Sequence, residues 1–255
     1  MSAISFQHLD LTLGPKCILK DVSSDIHAGE VTILLGPNGT GKSSLLKLIS
    51  REWKTKGDVA YFGKNLKDWQ PSDLAKHLGV LPQHSNLTFG FTAREVVELG
   101  GLNLDASQKM IAQIAEDHMR TTDTLHLADR LFPSLSGGEK QRVQLARVLT
   151  QIKQSGSHRA LLLDEPTSAL DLKHQHKTLA LAKQMAKQGA AVVAVIHDLN
   201  LAAQYGDRLL LLNAGHIVAD GTPEEVLTAA RIEEVYDWQV TVMTHPQQGY
   251  PLVIG

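Results

Sequence analysis

The feature that most constrains the fold is the octapeptide at 36–43, GPNGTGKS, which fits G-x-x-x-x-G-K-[ST]. It directly follows an unbroken apolar run at 31–35 and precedes a segment that carries leucine and isoleucine at helical spacing, at 45, 46, 48 and 49. Glycines let the backbone curl, so that several N–H groups and the helix N-terminus face phosphate oxygens. Because a glycine-rich turn of another kind would not need both flanks, the sequence predicts a phosphate-binding loop between a strand and a helix.

Two residues of this loop and two after a later apolar run form a candidate catalytic set. Lys42 offers a charge to the β- and γ-phosphates, and Ser43 offers a hydroxyl to Mg²⁺. The run at 160–163 ends in Asp164 and Glu165, which we expect to hold Mg²⁺ through water and to orient or deprotonate the attacking water. A solvated strand end is the alternative for this pair, which is a weak signal without the loop. A nucleotide phosphate and Mg²⁺ are therefore expected at this site.

Alternating strands and helices predict a parallel α/β sheet for the core. Further buried-strand runs occupy 191–196 and 208–212, and a helix predicted over 172–187 has Asp171 as its N-cap. At the N-terminus, 4–13 predicts a strand with a bulge near His8, and 17–26 predicts a second strand. The stretch 84–154 is helix-rich without a strand run, which indicates a lobe inserted into the core.

Bulk composition limits the class of protein. The chain has 255 residues, of which 43% are hydrophobic and 20% charged, as in globular proteins. The formal net charge of −2 gives no basic excess for nucleic acid. No apolar run approaches the ~18 residues that span a bilayer, so a membrane role would need a partner. The single cysteine, Cys17, is expected to be a small inert core residue, and it favours a reducing cytosol.

A second anion site is predicted at 135–142, LSGGEKQR. Ser136 and Glu139 have the spacing of a capping box, and Gly137 and Gly138 leave backbone N–H groups open at a helix N-terminus. A simple helix cap is the alternative, because S-x-x-E is common.

Together these motifs resemble the ABC ATPase family over nearly the whole chain. The resemblance implies a P-loop NTPase core with a mixed sheet, an N-terminal antiparallel β subdomain and an inserted α-helical subdomain. It implies one ABC ATPase domain over 1–255, with a RecA-like core and β subdomain at 1–83 and 155–255 and the helical subdomain at 84–154. It also implies a head-to-tail homodimer that sandwiches two ATP molecules, in which 135–139 of one subunit contacts the γ-phosphate held by the other.

The resemblance also assigns residues. Gln83 matches the family's glutamine between core and helical lobe, 168–171 matches the segment after the catalytic glutamate, and His197 matches the switch histidine. The implied catalytic residues are Glu165, His197 and Gln83, and the implied Mg²⁺ residues are Ser43, Gln83 and Asp164. The implied nucleotide-binding residues are Gly36, Pro37, Asn38, Gly39, Thr40, Gly41, Lys42, Ser43, Ser44, Ser136, Gly137 and Gly138.

Two regions leave questions open. Leu13 stands where the family often stacks an aromatic residue on adenine, which predicts weak selection among purine nucleotides. Leu87, Phe89 and Phe91 are either core residues of the helical lobe or anchors for a short helix of a membrane subunit. The 12 histidines do not predict a metal site, because His174 and His176 would face different sides of a helix.

Within the family the sequence resembles the haem (haemin) importer ATPases of Gram-negative bacteria. The resemblance rests on LPQH at 81–84, FGFT at 89–92, DLKHQH at 171–176 and HDLNLAA at 197–203. It implies a transmembrane permease dimer as partner, an indirect link to a periplasmic substrate-binding protein, and a peripheral position at the cytoplasmic face of the inner membrane. Importers of ferric siderophores or cobalamin share much of this pattern and are the alternative.

Other classes fit the residues less well. A DNA-repair or ribosome-associated ABC ATPase would bring a long coiled-coil insert, a second cassette or a basic surface. An inert regulatory subunit would lack Glu165 or His197, and a kinase or GTPase would not need 136–139.

Overall fold

The computed structural model describes residues 2–83, 90–156 and 158–255. The described strands are β1 (Ser2–Leu13), β2 (Lys16–His27), β3 (Val31–Leu35), β4 (Asp58–Tyr61), β5 (Lys64–Asn65), β6 (Leu78–Leu81), β7 (Ala160–Asp164), β8 (Ala191–Val195), β9 (Arg208–Asn213), β10 (His216–Gly221), β11 (Thr241–Thr244) and β12 (Pro251–Ile254). The described α-helices are α1 (Lys42–Ile49), α2 (Pro71–His77), α3 (Ala93–Glu98), α4 (Gln108–Thr121), α5 (Gly137–Gln151), α6 (Leu172–Lys187), α7 (Leu199–Tyr205), α8 (Pro223–Val226) and α9 (Ala229–Tyr236).

A six-stranded mixed sheet forms the core, in the order β10-β9-β3-β8-β7-β6. Its strands are parallel except β10, which pairs antiparallel with β9. Every residue of β3, β7 and β8 is buried, because both faces of the sheet are covered. Helices α5 to α9 pack on one face, and α1 packs on the other together with strands of a second sheet. The predicted parallel α/β core is confirmed, and the carboxyl ends of β3, β7 and β8 lie side by side at one edge.

A second sheet, in the order β2-β1-β4-β5, is antiparallel throughout. The predicted bulge in β1 is confirmed: the pairing with β2 shifts register between Phe6 and Leu9, and His8 has a φ of 54°. β4 and β5 were not predicted, because four- and two-residue strands carry too little periodicity to stand out. The N-terminal antiparallel β subdomain is thus present.

The expectation that Cys17 is a core residue is wrong, since its side chain is exposed. Cys17 pairs with Thr12 close to the turn at Gly14, where both strands extend past the part of the sheet that the core covers. Leu19, two residues along, takes the buried position instead.

The region between β6 and β7 is helical, as predicted, and has its own apolar core. In the part of the chain that the structure describes, it holds α3, α4 and α5 and a single isolated bridge between Thr92 and Leu131. Its buried residues are Ala93, Val96, Val97, Ala115, Met119, Leu127, Ala128, Phe132, Leu135, Val143 and Ala146. α5 is also tied to the main sheet, because the Gln151 side chain donates to the Ala75 and Leu78 carbonyls at 2.8 and 3.0 Å.

The structure describes only part of the apolar segment considered for docking. His84, Leu87 and Phe89 lie outside the described residues, and Phe91 is 37% exposed. The two alternatives for this segment, lobe core and docking groove, stay hypotheses.

The C-terminal segment is structured and packs against the core. After β10 it forms α8, α9 and the hairpin β11–β12, and Asn200 on α7 bonds both backbone groups of Val253 on β12. Across residues 2–83, 90–156 and 158–255, no helix has the length and apolarity that a bilayer crossing needs.

His118, on α4, makes the stability of the helical region depend on pH. Its Nδ1 lies 3.0 Å from the hydroxyl oxygen of Thr150, which itself donates to the Ala146 carbonyl, so Nδ1–H is the donor. Burial lowers the pKa of His118 to about 4, and the charge of Lys153 adds to this. The unfolded chain therefore binds this proton at a higher pH than the folded one.

We predict that stability present above pH 6.5 is lost as the pH falls toward 4, by about 2 kcal/mol between pH 7 and 5 from this group alone. Urea unfolding of wild type and His118→Gln at both pH values measures it, and the variant should lose less stability. His126→Gln, exposed in the same region, is the control and should behave as wild type. Equal pH dependence of wild type and His118→Gln would contradict the prediction.

Candidate active site

The phosphate loop has a backbone shape that only glycine fits at its first position. Gly36, Gly39 and Gly41 have φ values of 140°, 80° and 100°. A Cβ on Gly36 would lie 2.2 Å from the Leu212 carbonyl oxygen of β9. The loop is thus pressed against the sheet edge, and the amides of its far end open α1.

Lys42 is held inside this loop. Its ammonium group donates to the carbonyl oxygens of Gly36 and Pro37 at 2.7 and 2.8 Å, and the residue is 5% exposed. Burial lowers the pKa of Lys42, while the carboxylates of Glu165 and Asp164 partly oppose that shift. The side chain therefore presents a partly desolvated cation at the centre of the loop, where an anion finds little competition from water.

Ser43 and Asp164 meet at the start of α1. The Ser43 hydroxyl donates to Asp164 Oδ1 at 2.8 Å, and Asp164 is buried, which raises the pKa of its carboxyl. Gln83 lines the same cleft as these two residues. Hydroxyl, carboxylate and amide oxygens are the hard donors that Mg²⁺ takes, so the three residues assigned to it fit the ion.

Glu165 and His197 face each other across the ends of β7 and β8. Glu165 Oε1 lies 2.7 Å from His197 Nε2. Glu165 has a φ of 50°, and its carbonyl accepts from the Gln141 side chain at 2.8 Å and from the Ser168 hydroxyl at 3.1 Å. The strained backbone turns the carboxylate toward the loop and is held there by two side chains.

One cleft collects half of the predicted site residues, eight of sixteen. Its lining comprises Lys16, Ile18, Asn38, Gly39, Gly41, Lys42, Ser43, Ser44, Glu165 and His197. Lys16 and Ile18, from β2, and Gln141, on α5, were not singled out from the sequence. Of these three residues, Gln141 alone lies within a motif that the sequence analysis identified, at 135–142. Leu13, the residue matched to the adenine position, is 46% exposed at the end of β1.

The segment 136–138 stands apart from that cleft. Ser136 caps α5 with the predicted box: its backbone N–H donates to the Glu139 carboxylate at 2.8 Å, and the Glu139 N–H donates to the Ser136 hydroxyl at 3.3 Å. The bond from Ser136 lowers the pKa of Glu139. Ser136 and Gly137 are exposed. None of the residues that line the cleft comes from this segment.

Sequence comparison decides the family. The pattern of the ABC transporter family matches residues 19–168, which include the phosphate loop, the 135–142 motif and Asp164-Glu165. The chain belongs to the ABC transporter family. As in that family, it is an ATP-binding cassette whose ATP hydrolysis is coupled to transport.

Among the similar proteins are several hemin import ATP-binding proteins, named HmuV. The protein from Photobacterium profundum is 56% identical over 253 residues, covering 99% of this chain and 91% of the relative. Those of Vibrio parahaemolyticus and Vibrio cholerae are each 55% identical and cover 98% and 99% of this chain, and 96% and 99% of their own length.

Solved structures share the fold. An inward-facing metal-chelate type ABC transporter superposes with a TM-score of 0.80 at 25% identity, covering 99% of this chain and 96% of that one. The ADP conformation of the ATP-binding cassette MJ1267 gives a TM-score of 0.78 at 23% identity, covering 94% and 100%. The predicted fold class is confirmed.

The two glycines of the 135–142 motif differ in what surrounds them. A Cβ on Gly138 would lie 2.7 Å from the Ala169 carbonyl oxygen, whereas one on Gly137 would find only the Ala169 Cβ, at 3.7 Å. We predict that Gly138→Ala lowers the free energy of unfolding by roughly 1–3 kcal/mol. The matched Gly137→Ala should leave stability unchanged or raise it. Urea unfolding of both variants tests this, and equal effects would contradict it.

Proposed function

We propose that this chain is the Mg²⁺-dependent ATPase subunit that powers haem (haemin) import through a separate transmembrane permease. The observation that carries the enzymatic part is the pair of contacts beside the phosphate loop, Ser43 to Asp164 and Glu165 to His197. One joins the residues suited to a metal ion, and the other joins a base to a histidine that can orient it.

In this proposal each side chain has a separate task in hydrolysis. The loop amides and Lys42 bind the phosphates, and Ser43, Asp164 and Gln83 hold Mg²⁺, which supplies charge neutralisation when bound. Glu165 accepts the proton of the attacking water. His197, with Nε2 2.7 Å from the Glu165 carboxylate, holds that carboxylate in position and lines the same cleft as the phosphate loop.

A second copy of the chain is part of the proposed active unit. The exposed helix N-terminus at 136–138 has open N–H groups but lies outside the cleft of its own subunit. In a head-to-tail homodimer, Ser136, Gly137 and Gly138 of each subunit complete the cleft of the other. ATP then closes the dimer, and hydrolysis followed by phosphate release reopens it.

The cargo and the location come from similarity. The relatives at 53–56% identity are hemin import ATP-binding proteins, and the metal-chelate type transporter supports the same cargo class. We therefore propose haem as cargo, a permease dimer as partner, a periplasmic substrate-binding protein acting indirectly, and a peripheral position at the cytoplasmic face of the inner membrane. Ferric siderophore or cobalamin is the alternative cargo for the same machinery.

We predict that Glu165→Gln lowers ATP turnover by about 10²- to 10⁴-fold, because the water loses its base, while ATP binding persists and the dimer stays closed. Phosphate release and size-exclusion chromatography with ATP measure the two effects. Glu224→Gln, an exposed glutamate on α8, is the control and should turn over as wild type. Undiminished turnover in Glu165→Gln would contradict its assignment as the base.

The cargo is tested with liposomes that contain this subunit and its native permease, with ATP on the side of the ATPase. Haem, cobalamin and a ferric siderophore are offered in parallel, each also with Glu165→Gln. We expect haem uptake with wild type and none with the variant. Uptake of another cargo would overturn haem and leave the ATPase assignment standing.

A further inference from the structure

The C-terminal helix reaches the first residue of the phosphate loop. The Gly36 backbone N–H donates to the Tyr236 hydroxyl oxygen at 3.0 Å, between residues 200 positions apart in sequence. Tyr236 is the last residue of α9, and this helix lies beyond the residues 19–168 that the family pattern matches. The contact joins a segment of unassigned role to the proposed nucleotide site.

Tyr236 has little freedom to move away from that position. Ile232 and Val235, on the same helix, are 2% and 8% exposed and pack into the main core. The Arg231 guanidinium donates to the carbonyls of Glu225 and Val226, which ties α9 to α8. A side chain on such a support holds its partner more firmly than one on a loop.

Gly36 is held from a second side as well. Its φ of 140° is open only to glycine, and a Cβ would lie 2.2 Å from the Leu212 carbonyl oxygen. The loop therefore begins between the end of β9 and the Tyr236 hydroxyl. Burial raises the pKa of Tyr236 to about 12, so the hydroxyl stays neutral and places no negative charge beside a phosphate.

We propose that Tyr236 is a positioning residue that fixes the phosphate loop in its nucleotide-binding shape, so that the C-terminal segment sets nucleotide affinity. This inference rests on the proposed nucleotide-binding role of 36–43. Without the hydroxyl, the loop samples other shapes, and the apparent dissociation constant rises in inverse proportion to the fraction of molecules that stays binding-competent. ATP and ADP should be affected alike, and kcat should change little, because the contact is the same before and during reaction.

The test compares Tyr236→Phe with Tyr205→Phe. Tyr205, on α7, is a partly buried tyrosine whose hydroxyl contacts His176 at 2.8 Å, so its variant removes an equivalent group elsewhere. Calorimetric binding of ATP and ADP, steady-state KM and kcat, and unfolding temperature are measured for both. We expect Tyr236→Phe to raise Kd and KM about three- to tenfold with kcat within about twofold, and Tyr205→Phe to leave all three near wild type.

Other results would overturn the inference. Unchanged affinity in Tyr236→Phe, or the same loss in both variants, would show that the hydroxyl only supports packing. Tighter binding would show that it competes with phosphate for the amide. If wild type itself bound no nucleotide, the proposed function would fail instead, so the two failures are distinguishable.

Hydrogen exchange in nucleotide-free wild type gives a second measurement that needs no variant. The amide of Gly36 should exchange slowly, because Tyr236 already holds it. Rapid exchange at Gly36 would overturn the inference.

Discussion

The parallel register of three buried strands is the constraint on which the active site depends. β3, β8 and β7 pair so that Leu34 lies beside Val195, and Val195 beside Asp164. Since parallel strands end at the same edge, residues far apart in sequence meet there: the phosphate loop after β3, Asp164 and Glu165 at the end of β7, and His197 after β8. Any slip of one strand would separate the residues proposed to bind Mg²⁺ from the loop, however well each motif folded locally.

Two buried ionisable side chains, Lys42 and Asp164, lie at this edge of the sheet. Both are hydrogen-bonded to neutral polar groups: Lys42 to the carbonyl oxygens of Gly36 and Pro37, and Asp164 to the Ser43 hydroxyl. Removing the Ser43 hydroxyl would leave the buried Asp164 carboxyl without this hydrogen bond, which costs more than the bond itself contributes. These internal hydrogen bonds therefore stabilise the two buried side chains in the absence of a nucleotide.

The sequence was sufficient wherever a role depends on neighbours in the chain. The phosphate loop, the capping box of Ser136 and the N-cap Asp171 are local patterns, and the structure has all of them in place. It was insufficient where a role depends on folding: nothing near Lys16, Gln141 or Tyr236 signals which residue each will meet. The exposed Cys17 shows the same limit, because an apolar run does not reveal where a strand leaves its sheet.

α5 is attached to the core at its C-terminal end, so a rotation about that end would displace its N-terminal end most. Fifteen residues give it a length of about 22 Å, with Ser136 before one end and Gln151 fastened to β6 at the other. A swing of about 10° around the fastened end would move the Ser136 end by about 4 Å and Gln141 by about 2.6 Å. The displacement of Gln141 would be enough to break the hydrogen bond from its side chain to the Glu165 carbonyl. A tilt of the helical lobe would therefore reach the carboxylate proposed as the base: the rotation that moves Ser136 would also withdraw Gln141 from the Glu165 backbone.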